Sequence, residues 1–143
     1  MLRALLAAPG GPGGEADLET RLEHYLLEEQ QLLPAAMEAL DAGRLDAFGA
    51  LADRSQRGAE ELLGNQVPET ITLARLARDL GAHAASAFGA GFGGSVWALV
   101  DMASSEQFET QWLAAYTTAH PDAARHASSF ITRPGPGAGS VIV

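Results

Sequence analysis

The sequence predicts an α+β domain, a small antiparallel sheet packed with about four helices. Three observations carry that expectation. Residues from Asp17 to Leu80 fall into three stretches whose apolar residues recur at helical spacing. Two short apolar runs then flank a cluster of glycines. One further helical stretch and one further short run follow, and no strand–helix–strand unit repeats. At 143 residues the chain is long enough for one domain with a hydrophobic core and too short for two ordinary ones.

The elements are justified in order. Residues 1–15 include PGGPGG, which holds no regular element, so they read as a flexible lead-in and the domain is set at 16–143. From Asp17 to Asp41, Leu18, Leu22, Tyr25, Leu26, Leu33, Met37 and Leu40 mark a long helix. Pro34 should kink it by removing one internal hydrogen bond, and Gly43 should end it. A second helix is expected from an Asp46 N-cap to Leu63, with Phe48, Leu51, Ala52, Ala59 and Leu62 inward. GNQVP breaks the chain, and Pro68 opens a third helix carrying Leu73, Leu76, Ala77 and Leu80 before Gly81. HAASAF and SVWALVD read as strands on either side of the glycines. A fourth helix should start at Ser104, with Gln107 in capping-box spacing, and present Phe108, Trp112, Ala115 and Tyr116 until Pro121. A last strand is expected over Ser128 to Arg133.

Composition excludes several functions. The net charge is −9, and all nine basic residues are arginine. That surface repels nucleic acid and anionic lipid. With no cysteine there is no disulfide or thiolate metal site. The apolar run Ala4 to Ala8 is shorter than a signal peptide core of roughly 7 to 15 residues, and no later run could span a bilayer. The expectation is a cytoplasmic protein. His24, His83, His120 and His126 lack metal-ligand spacing, so no metal site is expected. Glu28-Glu29 and Glu60-Glu61 read as solvated helix faces, and Trp97 and Trp112 as core.

The glycines carry the functional signal. Gly89-Ala90-Gly91-Phe92-Gly93-Gly94 spells G-x-G-x-x-G. A dinucleotide-binding loop must lie between a strand and a helix, whose N-terminus holds the pyrophosphate, but Val96 to Val100 read as a strand. Protein kinases place such a loop between strands but need a lysine on the next one, and the chain has no lysine, which also removes the Walker A reading. Around Ser95, G-x-S-x-G fails because Trp97 stands where the second glycine belongs. Glycines of a tight hairpin could serve their dihedral freedom alone. Four in six residues exceed what a plain turn demands.

FGAGFGGSVWALV, placed after three helices and followed by helix and strand, resembles the third motif of GHMP small-molecule kinases, in their C-terminal domain, and the galactokinase branch most closely. AGRLDAFGALADRSQR and NQVPET are similar to upstream stretches of that branch, and FITRPGPGAG to its tail. Gly43, Phe48, Gly49, Ser55, Pro68, Glu69, Gly89, Gly91, Phe92, Gly93 and Gly94 fall in place, so the resemblance runs from about Asp17 to Gly139. Departures are Ser86-Ala87-Phe88 where the branch carries Arg-Met-Thr, Ser95 where it carries Cys, and Leu62-Leu63-Gly64-Asn65 where it carries Asp-Tyr-Glu-Val.

The resemblance implies a ferredoxin-like GHMP kinase C-terminal domain and ATP-dependent phosphoryl transfer to galactose or a related sugar, with ATP and Mg²⁺ serving the complete enzyme and neither held by this chain alone. Gly89, Ala90, Gly91, Phe92, Gly93, Gly94 and Ser95 would form the cleft loop. Asn65 and Gln66 could face the cleft or simply link two helices. No catalytic residue is assigned. The family's sugar-recognition motif, serine-rich phosphate loop and catalytic Arg and Asp belong to an N-terminal half, and none of those patterns occurs here. That half is therefore the expected partner, with self-association of the isolated chain as a further expectation. The alternative is a stand-alone, non-catalytic sugar-binding or assembly module with the same fold.

Overall fold

The computed structural model describes residues 15–135. The expected lead-in lies outside the described residues except for Glu15, which opens α1, as does the end of the chain from residue 136. The order is α1 (Glu15–Leu27), a π-turn (Glu28–Leu32), α2 (Leu33–Asp41), α3 (Leu45–Gly58), a second π-turn (Ala59–Leu63), α4 (Pro68–Asp79), β1 (Ala84–Phe88), β2 (Ser95–Leu99), a 3₁₀ turn (Met102–Ser104), α5 (Ser105–Ala119) and a short α6 (Pro121–Ala124). No helix among the described residues is long and apolar enough to cross a membrane.

The long first helix does carry its disturbance near Pro34, as a widened turn one residue upstream. Leu33 donates its amide to the Glu28 carbonyl, five residues back, so the wider turn precedes the proline, which then sits in the first turn of α2. There its missing amide deprives the new helix of no internal bond. α3 runs into the second π-turn, which Gly64 ends in a left-handed conformation (φ 63°).

β1 and β2 form a two-stranded antiparallel sheet in which Ala84 faces Leu99 and Phe88 faces Ser95. Its two faces serve different helices. Ala85 joins Ala77 of α4, Ala82 and Phe108 of α5 in the core, with its cross-strand partner Ala98 packed beside them. On the opposite face Trp97 lies against Phe48 of α3, ring centroids 6.3 Å apart, and Ser86 donates its hydroxyl to Gln56 of the same helix. The sheet is thus a middle layer, with α3 on one side and α4 and α5 on the other. Alanine dominates the buried apolar residues. Small side chains let backbones approach closely but bury little area each. At Gly49 of α3 the approach is closest, because a Cβ there would run into the His83 carbonyl.

Four sequence expectations need correction. Asp46 lies in the first turn of α3, whose N-cap is Arg44. Ser128 to Arg133 forms no strand: the segment joins neither edge of the sheet, and Phe130 is 83% exposed. An apolar run without a ladder partner has nowhere to place its amides and carbonyls except in water. Ser104 does not cap α5; its hydroxyl donates to the Asp101 carbonyl within the 3₁₀ turn. Glu28 and Glu60 are more than solvated helix faces, since Ser55 donates to Glu28 at 2.7 Å and Gln56 to Glu60 at 2.8 Å. Both tryptophans are half-buried; Trp112 lies 5.5 Å from Phe108 and donates its indole N–H to the Leu73 carbonyl, tying α5 to α4.

Candidate functional site

A two-residue turn suffices to reverse an antiparallel ladder; here six residues, Gly89–Gly94, separate β1 from β2. Five of them have positive φ: 90° at Gly89, 86° at Gly91, 59° at Phe92, 113° at Gly93 and 99° at Gly94. Phe92 is the sole non-glycine residue with positive φ among the described residues. A left-handed conformation costs an ordinary side chain on the order of 1–3 kcal/mol, so something must hold it.

The glycines divide into two kinds. At Gly89, Gly93 and Gly94 an added Cβ would meet nothing within 4 Å. These positions present bare backbone to open space, and their glycines are needed for conformation. At Gly91 an added Cβ would collide with the Asn65 carbonyl oxygen and come within 2.6 Å of the Asn65 Cγ. The space beside Gly91 is therefore occupied by the protein's own Asn65.

Asn65 follows the left-handed Gly64 at the end of the second π-turn and is buried, at 8% exposure. Its Nδ2 donates to the Ala90 carbonyl at 3.2 Å, and its own carbonyl accepts the Phe92 amide. Gln66 Nε2 donates to Asn65 Oδ1 at 2.9 Å, and the Thr70 hydroxyl lies 2.9 Å from Gln66 Oε1. The structure thus brings Asn65 against the loop, with Gln66 behind it bridging to the first turn of α4. Ser95 is exposed at the start of β2, and the side chains of Phe88 and Phe92 are 59% and 74% exposed beside the bare backbone.

Chemically the loop offers main-chain donors and two exposed aromatic rings. It carries no carboxylate, imidazole or cation. Among the described residues no group of three His, Asp or Glu side chains could hold a metal ion. The arrangement fits close approach of an oxygen-rich ligand to backbone and does not fit a resident Mg²⁺. A surface hollow of about 630 Å³ between α5 and Ser129 contains no loop residue.

Sequence reasoning missed three residues that fix this frame. Gln56, buried at 6%, accepts from both the Ser86 hydroxyl (3.0 Å) and the Ala87 amide (2.8 Å). Arg78 forks onto Asp53 at 2.9 and 3.1 Å and turns its remaining nitrogen to the carbonyls of Ala82 and His83. Their main partners lie 25 to 31 residues away, beyond any local pattern. A separate polar cluster joins α4 to α5: His120 Nε2 lies 3.0 Å from the Thr72 hydroxyl and its Nδ1 3.9 Å from Glu69. Burial, and secondarily the Glu69 charge, push the neighbouring Tyr116 hydroxyl above its ordinary pKa of 10.0.

An α+β domain with a glycine loop between two antiparallel strands, after four helices, is consistent with the C-terminal part of a small-molecule kinase. Residues 36–118 match the family described as GHMP kinases C terminal, and the chain belongs to that family. It is 31% identical over 126 residues to a galactokinase of Roseiflexus sp. (strain RS-1), covering 87% of this chain and 31% of that one. A galactokinase of Exiguobacterium sibiricum is 36% identical over 104 residues (71% and 26%), and one of Thermococcus kodakarensis 32% identical over 103 (72% and 29%). The chain therefore spans less than a third of the length of these curated relatives.

Proposed function

We propose that this chain supplies the C-terminal wall of a galactokinase-like sugar kinase, working in the cytoplasm. It would contribute the loop Gly89–Ser95 to the cleft and be inactive without an N-terminal half. The observation that carries this reading is the loop: five consecutive or near-consecutive left-handed positions expose bare main chain at Gly89, Gly93 and Gly94 between two paired strands. The relatives support it, since each is named a galactokinase and each is more than three times the length this chain covers.

When bound, ATP supplies the phosphoryl group: a bond forms from a sugar hydroxyl oxygen to the γ-phosphorus, the bond to the bridging oxygen breaks, and ADP leaves with its electron pair. The loop of this chain would position that reaction by backbone contact and exclude water from one side of the cleft. The acceptor's proton and the charge of the triphosphate need a base and cations, which the loop lacks. Those groups, and any Mg²⁺ ligands, are assigned to the partner half.

Exposure of large apolar side chains also fits a missing partner. On α2, Leu33, Met37 and Leu40 follow i, i+4, i+7 and are 49%, 67% and 48% exposed, while the interior is built largely of alanine. The test is ADP release with galactose and other hexoses, with and without a GHMP-type N-terminal half. Turnover is expected only for the pair. No turnover by the pair, with sugar binding by the chain alone, would favour a stand-alone module; turnover by the chain alone would reveal a complete active site.

A further inference from the structure

We infer that Asn65 is the positioning residue of the glycine loop, holding Ala90, Gly91 and Phe92 in the shape a ligand would meet before any ligand arrives. The inference deepens the kinase reading and rests on it for the loop's purpose, but the geometry stands on its own.

Asn65 grips both sides of the loop's midpoint. Its side-chain amide donates to the Ala90 carbonyl and its main-chain carbonyl accepts the Phe92 amide, so the peptide units before and after Gly91 are fixed by one residue. Gly91 lies between those contacts, too close to Asn65 for any side chain. The other loop glycines have nothing within 4 Å of a Cβ position, so Asn65 is the loop's anchor. Its bonds also offset the cost of the left-handed Phe92.

Asn65 is itself held from two directions away from the loop. Its amide bonds to the Ala59 carbonyl at 3.3 Å, closing the π-turn. Its Oδ1 is committed to Gln66 Nε2, and Gln66 in turn to Thr70. With Oδ1 taken as acceptor, Nδ2 is left to face the loop, which fixes the sense of the amide. The residue is buried, so an unmet donor or acceptor there would be costly. The loop is therefore coupled to the end of α3 and the start of α4 without help from a ligand.

One consequence reaches the chemistry. The Phe92 amide is spent on Asn65 and drops out of the donors a phosphate could use. The amides of Gly89, Ala90, Gly91, Gly93 and Gly94 make no hydrogen bond among the described residues, so the donors the held loop leaves to a ligand come from these five.

The test is amide hydrogen exchange on the intact chain, with Asn65→Ala and Asn65→Asp variants. Asn65→Ala is expected to raise Phe92 exchange roughly tenfold or more, with α4 amides such as that of Ala77 unchanged. Asn65→Asp keeps the shape but sets a carboxylate against the Ala90 carbonyl. It should behave like alanine at neutral pH and recover protection as pH falls through the carboxyl's titration, about pH 4 for an ordinary aspartate, because the acid form can donate again. A residue that merely packs would give wild-type protection in Asn65→Asp at every pH. That result would overturn the inference, as would unchanged Phe92 exchange in both variants or an equal loss at Ala77. The readout needs no turnover, so failed complementation would count against the kinase reading and leave this measurement independent.

Discussion

Gln56 closes the outer edge of β1 by accepting the Ala87 amide at 2.8 Å. An edge strand in a two-stranded sheet has amides that no neighbouring strand can satisfy. The helix facing it supplies an amide side chain instead, and the same oxygen accepts the Ser86 hydroxyl.

Replacing Gln56 by Leu should therefore leave the half-buried Ala87 amide without a partner, while the Ser86 hydroxyl keeps the Ala87 carbonyl, 3.1 Å away, as its acceptor. A destabilisation of about 2 kcal/mol is expected, read as a lower urea midpoint. An unchanged midpoint would mean that β1 does not depend on the helix for its edge.

Gly91→Ala and Gly93→Ala should separate the two kinds of loop glycine. Both demand positive φ from alanine, which costs on the order of 1–2 kcal/mol, but only at Gly91 does the new methyl meet Asn65. Gly91→Ala should be the more destabilising and should release the Phe92 amide to solvent exchange. Equal effects on Phe92 would contradict the contact.

Arg78 answers two carbonyls as well as a carboxylate. Lysine has no planar fork, so Arg78→Lys should lower stability by about 1–2 kcal/mol. Asp53→Asn should cost less than Arg78→Leu, because the carbonyls of Ala82 and His83 keep their donor. Thermal melts of the three variants would establish or refute that ranking.

Tyr116 makes the domain less stable at alkaline pH. Its hydroxyl titrates above 10.0 in the folded chain, because burial and Glu69 disfavour the phenolate. Between the unfolded and folded values the unfolded chain has lost a proton that the folded chain keeps, so stability falls as pH rises there. The contribution is fully present below pH 10.0 and declines above it. Tyr116→Phe should flatten this part of the stability–pH curve; an unaltered slope would assign the decline to other groups.

The helices were legible because burying one face imposes a spacing on the text: Leu73, Leu76, Ala77 and Leu80 announce α4 without reference to anything distant. The two strands were legible because apolar runs bracketed glycines. What could not be read depends on partners far along the chain. Phe130 and Ile131 resemble strand residues, but strand formation is decided by an available edge. Asn65 resembles a turn residue, and its relation to Gly91 arises only when α3, its π-turn and the hairpin come together. Ser104 and Gln107 have the spelling of a capping box, but the preceding 3₁₀ turn takes the hydroxyl.

The widened turn at Glu28–Leu32 places an extra residue inside a continuous helix, running from Glu15 to Asp41. Upstream and downstream of it, the helical phase differs by about one residue from what an unbroken 3.6-residue repeat would give. Pairing this segment residue by residue with a straight helix can therefore match side chains pointing one way up to the turn and another way beyond it. A correspondence true to shape must open its gap in mid-helix, where sequence matching is least willing to put one.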